Sequence, residues 1–415
     1  MKRIAVIGAG ISGLTAAWLL GRRHQVVLYE AESRLGGHTC TVAVDDPAGP
    51  QQVDVGFIVF NDRTYPHFRR LLSQLGVGEQ PAPMGFAVSC ERTGLEYCGD
   101  GLGGLFGQKR NLLSPAHWGM IRDILRFNRE APALLRGEQG EMPLGEFLDR
   151  GGYSERFVTH YILPMGGAIW SCNEAQMRAF PARFFVRFFD NHGLLTIRDR
   201  PQWYVVPGGS SRYVEKLLAG LKAEVRSGAA VQRVRRDGDR VQVTCNGQEE
   251  AFDEVVLACH SDQALALLAD ADMDETQLLG NIPYQDNDVV LHWDDRLLPR
   301  TRRCWSSWNA LLAADPAERV QVTYNMNILQ GLQSERTWCV TLNATDRIDP
   351  ARIVDRFRFS HPLFTPQGLA QREERLARVN GRRHTWFCGA WCRNGFHEDG
   401  VVSALAVAAA FGESL

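Results

Sequence analysis

Three glycines in the run Gly8-Ala9-Gly10-Ile11-Ser12-Gly13 stand at the spacing GxGxxG. The run follows the apolar stretch Ile4-Ala5-Val6-Ile7 and precedes a stretch with helical apolar spacing (Leu14, Ala17, Trp18, Leu20). Such a run suits a pyrophosphate. Gly8 permits a tight turn, Gly10 lets the backbone approach phosphate oxygens, and Gly13 lets the helix lie close to the sheet. Free N–H groups at a helix start, here Ile11 and Ser12, carry partial positive charge toward the phosphates. Glu30 closes a second apolar run, Gln25 to Tyr29, where its carboxylate can accept hydrogen bonds from ribose hydroxyls. Together these residues read as a dinucleotide site on a strand–helix–strand unit.

A second glycine pair follows in Arg34-Leu35-Gly36-Gly37-His38, and a third close-approach position in Asp54-Val55-Gly56-Phe57. A nicotinamide domain has no need of them. A flavin does, because the chain must pass close to its pyrophosphate, ribityl and ring, so FAD is the expected dinucleotide. The glycines of Gly99-Asp100-Gly101-Leu102-Gly103-Gly104 are discounted, since no helix and second strand ending in an acid follow them.

The elements that must position these residues are supplied by 415 residues, a length that suits two or three domains. Basic and acidic residues number 46 and 48, and this near-balance argues against a general nucleic-acid binder. Ten cysteines show no CxxC spacing and read as reduced thiols. No metal site is expected: Cys388, Cys392 and His397 lack a second ligand cluster. Nowhere do 18 apolar residues run uninterrupted, so no transmembrane helix is expected. Met1-Lys2-Arg3 does not open a signal peptide, because Gly8, Gly10 and Gly13 break the apolar stretch behind it. No GxSxG elbow supports serine-nucleophile chemistry.

Residues 62–204 are dense in aromatics, with an amphipathic basic helix expected over 118–136. Residues 205–260 return to α/β texture, with a helix over 213–221 and a hairpin at Asp237-Gly238. Residues 286–345 read as largely β. Residues 385–411 read as strand, Gly-rich loop and Ala-rich helix.

The segments GAGISGL, ExxSRLGGH, VDVGF, VVPGGSSRYVEKL (205–217), VVLAC (255–259) and CGAWCRNGFHEDGVVSA (388–404) together resemble the flavin-containing amine oxidase and phytoene desaturase superfamily over the whole chain. The resemblance implies an α/β fold: a Rossmann-like FAD-binding domain of GR2 type, with a discontinuous α+β substrate domain. The expected division is 1–61, 205–285 and 375–415 for FAD, and 62–204 with 286–374 for substrate. It further implies that Val231 faces the adenine, and that Gly389, Asp399 and Val401 belong to the block that closes on the flavin ring. Noncovalent FAD is expected, because no attachment motif is evident at Cys388 or Cys392.

FIVFNDRTYPHF, LPMGGAIWS, FPARFFVRFFDNHGLL and GFHEDG resemble a bacterial subgroup often encoded beside cyclopropane fatty acid synthases, which implies lipid modification. The departures from the superfamily lie at the chemistry. The lysine that usually holds a water at flavin N5 is replaced by Asn287. His38 stands for the usual Arg, and Phe57 for a common second Gly. Phe396, His397 and Glu398 occupy the place of an aromatic substrate cage.

The reading is an FAD-dependent oxidoreductase that dehydrogenates a lipid, a modified fatty acyl chain, with His397 as the catalytic proton shuttle. The alternatives are an amine oxidase on a small amine and a flavin-bound accessory of a lipid methyltransferase. Asn61, Asp62, Arg63 and Tyr65 are candidates for a polar head group. Trp170, Phe184, Phe185, Phe188 and Phe189 are candidates for an acyl tunnel, with His192 beside them. The expected partners are a small-molecule or lipid substrate and no nucleic acid. The expected location is cytoplasmic, with peripheral contact at the inner membrane face left open. No residue pattern fixes an oligomeric state.

Overall fold

Ile4–Ile7, Val26–Tyr29 and Val255–Leu257 are apolar runs without polar alternation, the pattern of strands covered on both faces. In the computed structural model they form the centre of a five-stranded parallel sheet. Its order is Ala223–Arg226, Gln25–Tyr29, Arg3–Ile7, Glu254–Leu257, Thr385–Phe387. The structure describes residues 1–137, 142–196, 198–363, 365, 368 and 372–415. Alternate side chains serve two layers. Ile4, Val6 and Val256 pack with the helices Ile11–Leu20 and His397–Ala410. Ala5, Ile7, Val255 and Leu257 pack with the antiparallel meander Val231–Asp237, Arg240–Cys245 and Gln248–Phe252 and with Leu278 and Leu279. The chain leaves Arg3–Ile7 toward one side of the sheet and later fills the other side with Glu254–Leu257. A crevice therefore opens at the carboxyl ends of these two strands.

A second sheet has seven strands in the order Ile353–Pro362, Tyr284–His292, Cys339–Leu342, Gln321–Asn325, Trp308–Leu312, Phe86–Cys90, Glu96–Cys98. All its pairs are antiparallel except Phe86–Cys90 with Trp308–Leu312. Val88, Ala310, Leu312 and Val322 on this sheet pack with a helical layer that includes Pro115–Glu130, Leu163–Trp170 and Ala182–Asn191. The parallel sheet takes its strands from 1–61, 205–285 and 375–415. The seven-stranded sheet takes its strands from 62–204 and 286–374, with Tyr284–His292 crossing the 285/286 junction. A small sheet of Phe60–Asn61, Trp203–Val205 and Gln80–Ala82 spans the seam.

The basic helix expected over 118–136 runs instead over Pro115–Glu130, with Ser114 accepting a hydrogen bond from the His117 amide as its N-cap. Pro132, which cannot continue the ladder, separates it from the short helix Ala133–Arg136. The helix expected over 213–221 starts at Ser211 and ends at Ala219, before Gly220. Among the described residues no helix is long and apolar enough to cross a membrane.

Candidate active site

A cavity of about 1610 Å³ fills the crevice between the two sheets. Its wall includes Gly8, Gly10, Ile11, Ser12, Glu30, Arg34, Gly36, Gly37, His38, Gly56, Phe57, Val231, Gly389 and His397. Residues up to 389 apart in sequence thus share one surface. Gly13, Asp399 and Val401 do not line it.

The nucleotide turn has the shape a pyrophosphate needs. Gly8 has φ +103°, a conformation that L side chains rarely adopt. A Cβ on Gly13 would stand 1.8 Å from the Gly8 carbonyl oxygen, so Gly13 sets how closely helix and strand approach. A Cβ on Gly10 would meet nothing within 4 Å, because that side of Gly10 faces the cavity. Glu30 accepts hydrogen bonds from the amides of Ala9 (2.7 Å) and Glu32 (3.0 Å), which fixes its carboxylate at the cavity edge. Arg34 donates to the carbonyls of Gly37 and Thr39, both at 2.7 Å, and so holds the second glycine turn in place. Gly56 allows two loops to cross, since a Cβ there would lie 1.9 Å from the His38 carbonyl oxygen.

Two helix starts converge on this cradle. Gly400 lets His397–Ala410 lie against Ile11–Leu20: a Cβ on it would meet Ile11 Cγ2 at 2.8 Å and Ser12 Oγ at 2.9 Å. Both N-termini carry partial positive charge toward the cavity, which suits phosphate or an electron-rich ring. Val401 is fully buried behind this contact. Asp399 accepts from the amides of Asn394 (3.2 Å) and Phe396 (2.9 Å), so it shapes the loop; burial pushes its carboxyl up to about 6. Glu398 accepts from the amides of His67 and Phe68 and caps the helix Pro66–Leu75.

His397 lies at the wall with its ring stacked on Phe57, centroids 3.6 Å apart. Its Nε2 is 2.8 Å from the Tyr213 hydroxyl, which is 2.5 Å from Thr39 Oγ1. Burial, then His38, hold its pKa well below the usual histidine value, so the ring is neutral.

His38, read from the second glycine turn, belongs to a set of imidazoles whose other members, His260 and His361, sequence motifs do not reveal. His38 has its ring centroid 5.3 Å from His361 and 5.9 Å from His260. Asn287 donates to His361 Nδ1 at 2.9 Å, and its oxygen accepts from Asn343 at 2.8 Å. Burial, then its two histidine neighbours, hold His38 down to about 3; burial and His260 hold His361 down to about 4. His260 is also lowered by burial. Asn287 and His361 sit on neighbouring strands in antiparallel register, Asn287 opposite Phe359 and Gln285 opposite His361. Only that pairing, across 74 residues of chain, brings them together.

Of the tunnel candidates, Trp170 and Phe188 line the cavity. Phe185 and Phe189 are core residues, and Phe184 does not line it. His192 lines it too, stacked on Phe188 at 3.9 Å with Nδ1 on the Phe188 carbonyl. The head-group candidates resolve differently. Asn61 accepts from the amides of Arg63 and Thr64 and so builds a turn, while Arg63 donates to the Asp199 carbonyl. Asn61, Asp62 and Arg63 do not line the cavity, and Tyr65 does.

A glycine cradle open at Gly10, a carboxylate at the end of the second strand and two converging helix starts fit an extended dinucleotide. His38 Nε2, buried without a hydrogen-bond partner among the described residues, adds a polar atom to this wall. The fold and the cavity thus define a flavoprotein of Rossmann type. The family model for flavin containing amine oxidoreductases matches residues 11–309, and the chain belongs to that family of FAD-dependent oxidoreductases. FAD is its cofactor. Cys388 and Cys392 do not line the cavity, in keeping with noncovalent binding. AofH of Mycobacterium tuberculosis, named a flavin-containing monoamine oxidase, is 26% identical over 328 residues, 74% of this chain. The chain spans just under two thirds of that relative's length, 66%. Among solved structures, putrescine oxidase bound to putrescine matches with TM-score 0.69 and a fatty acid isomerase of P. acnes with 0.67. Each is 16% identical, and each match covers 99% of this chain and 98% of the other.

Proposed function

We propose that this protein is an FAD-dependent oxidoreductase that dehydrogenates an apolar, chain-like substrate, a modified fatty acyl group in a lipid. The observation that carries the reading is the cavity wall beyond the nucleotide turn. Met84, Phe86, Met165, Ile169, Trp170 and Phe188 line it. Among the described residues, its acidic lining residues are Glu30 and Glu32, both at the ribose end, while Arg34, Arg200, Arg356 and Arg358 are cationic. Among those residues a protonated amine meets no carboxylate beyond the ribose end. A hydrocarbon chain with an anionic head meets apolar side chains and guanidinium groups. The fatty acid isomerase of P. acnes shows that the same fold can house work on an acyl chain.

The bound flavin supplies a two-electron acceptor for the hydride of a substrate C–H bond. The residues of this chain do the rest. Phe188 and Trp170 exclude water and orient the acyl chain. Asn287, held between His361 and Asn343, presents a neutral amide where the resemblance places a lysine. The departing proton leaves to solvent through His397 or water; His397 lines the cavity, its Nε2 bonded to the Tyr213 hydroxyl, which is bonded in turn to Thr39.

The amine oxidase reading is favoured by AofH and by a group of aromatic rings at the cavity: Phe396 lies 5.2 Å from Phe188 and 5.4 Å from His192. One experiment separates the two. Under anaerobic conditions, the oxidised-flavin absorption band is followed with phospholipids that carry branched or cyclopropane acyl chains, and in parallel with a panel of amines. Bleaching by the lipids supports the proposal. Bleaching by amines alone overturns it and shows that Asn287 does not prevent amine chemistry.

A further inference from the structure

We propose that the surface formed by residues 101–129 docks this protein on a bilayer that carries anionic phospholipid. Among the described residues, nine large apolar side chains stand exposed, and five of them fall in this stretch: Leu102, Leu112, Leu113, Trp118 and Leu125. Leu113 is 89% exposed and Leu102 74%, values far from those of packed side chains.

The exposed residues belong to one built surface. Trp118 Nε1 donates to the Leu112 carbonyl at 2.9 Å, and the Trp118 ring lies 5.0 Å from Phe106. His117 Nε2 bonds the Leu105 carbonyl at 3.0 Å. These contacts tie the helix Gly101–Leu105 and the turn Lys109–Leu113 to the start of Pro115–Glu130. Along that helix, Trp118, Arg122, Leu125 and Arg129 recur at four- and three-residue steps and share the outward face. Met120 and Phe127, on the other side, are fully buried. An outward face of Trp and Leu interleaved with Arg is the composition of a helix that lies in a lipid interface.

Charge complementarity selects the occupant. Residues 101–129 hold five basic residues, Lys109, Arg110, Arg122, Arg126 and Arg129, and one acid, Asp123, whereas the chain as a whole has net charge −2. Asp123 is buried and accepts from the Ser154 amide. No acid pairs with Lys109 or Arg122 among the described residues. The turn Arg302–Cys304 packs beside Gly101–Leu105 and adds Arg302 and Arg303 to the same rim. Arg126 pairs with Asp123 and Glu130, and Arg129 with Glu130, so Lys109, Arg110 and Arg122 are the cations of this stretch that pair with no acid among the described residues. A surface with exposed leucines and these cations matches acyl chains below a layer of anionic headgroups. A second copy of this face would instead set these cations against each other.

Docking is independent of the identity of the substrate and is measured without turnover. The flavin-loaded protein is sedimented with sucrose-filled vesicles of phosphatidylcholine alone, and of phosphatidylcholine mixed with phosphatidylglycerol. The expected result is pelleting with the mixed vesicles at low salt and loss of pelleting at high salt, where such attraction is screened. Leu113→Asp, and separately Lys109→Glu with Arg122→Glu, should each lower the bound fraction on the order of ten-fold while the flavin spectrum is unchanged. The proposal is overturned if the wild type stays in the supernatant with the mixed vesicles, or if these variants pellet as it does. It is equally overturned if sedimentation velocity shows a dimer that Leu113→Asp dissolves, because a second copy would then cover the face.

Discussion

Gly10 and Gly13 lie three residues apart and do opposite work. A methyl group on Gly10 projects into the cavity and touches no protein atom within 4 Å. Gly10→Ala should therefore fold with an unchanged apoprotein melting temperature and lose about ten-fold or more in FAD affinity, read by flavin fluorescence titration. A methyl group on Gly13 overlaps the Gly8 carbonyl at 1.8 Å, and backbone cannot yield as a flexible side chain does. Gly13→Ala should cost roughly 3 kcal/mol or more, an overpacking effect at its upper end, and expression of soluble protein is its readout. Equal behaviour of the two variants would contradict this division. His397→Asn keeps FAD bound and slows flavin reduction by about 10²-fold if His397 carries the proton. Stopped-flow reduction by the active substrate measures this.

At the scale of elements, two pairings make the site. The helices Ile11–Leu20 and His397–Ala410 meet at Gly400. Gly400→Ala should push Ile11 and Ser12 aside at a cost of about 1–3 kcal/mol and weaken FAD binding, because both helix starts then shift from the cofactor. Chemical denaturation and a flavin titration on one preparation test both halves of that statement. The strands Tyr284–His292 and Ile353–Pro362 bring Asn287 to His361. Asn287→Leu leaves His361 Nδ1 and the Asn343 amide without their partner and should destabilise by about 1–3 kcal/mol. An unchanged urea midpoint would mean that water replaces the amide at no cost.

The whole molecule carries a pH signature from its buried imidazoles. Burial holds His192 and His292 near 4, and holds His38, with help from its histidine neighbours, near 3. An unfolded chain takes up these protons below about 6.5, so the unfolded state binds more protons and stability falls as pH drops from 6.5 toward 4. Two buried carboxyls oppose the trend. Asp54, pushed up to about 7, and Asp399, up to about 6, keep protons in the fold that the unfolded chain releases above about 4. With His361 and His397 also depressed, the imidazoles outnumber the carboxyls. The melting temperature should therefore fall between pH 6.5 and about 4.5. A flat or rising midpoint across that window in calorimetry would show that the carboxyls prevail.

Local spacing determined the nucleotide end of this protein. Gly8, Gly10, Gly13 and Glu30 lie within one strand–helix–strand unit, and their order fixes their geometry because the backbone between them has few degrees of freedom. The parallel sheet was legible for a related reason: strands covered on both faces must be apolar at every position, as Ile4–Ile7 and Val255–Leu257 are. The far end of the cavity was legible only in part: Tyr65, Trp170, Phe188, His192 and His397 were candidates and line it, whereas its imidazole cluster was hidden. Nothing near Asn287 in sequence announces His361, and nothing near His38 announces His260, since strand register and domain packing bring them together. Composition also gave Phe185 and Phe188 the same standing, yet one turned into the core and the other onto the cavity. That choice follows from which face of Ala182–Asn191 packs inward, and it is made by the layers around the helix. Sequence determined what this chain binds at its glycine turn; tertiary structure alone decided which groups share the far wall of the cavity, because those groups are neighbours only across folded layers.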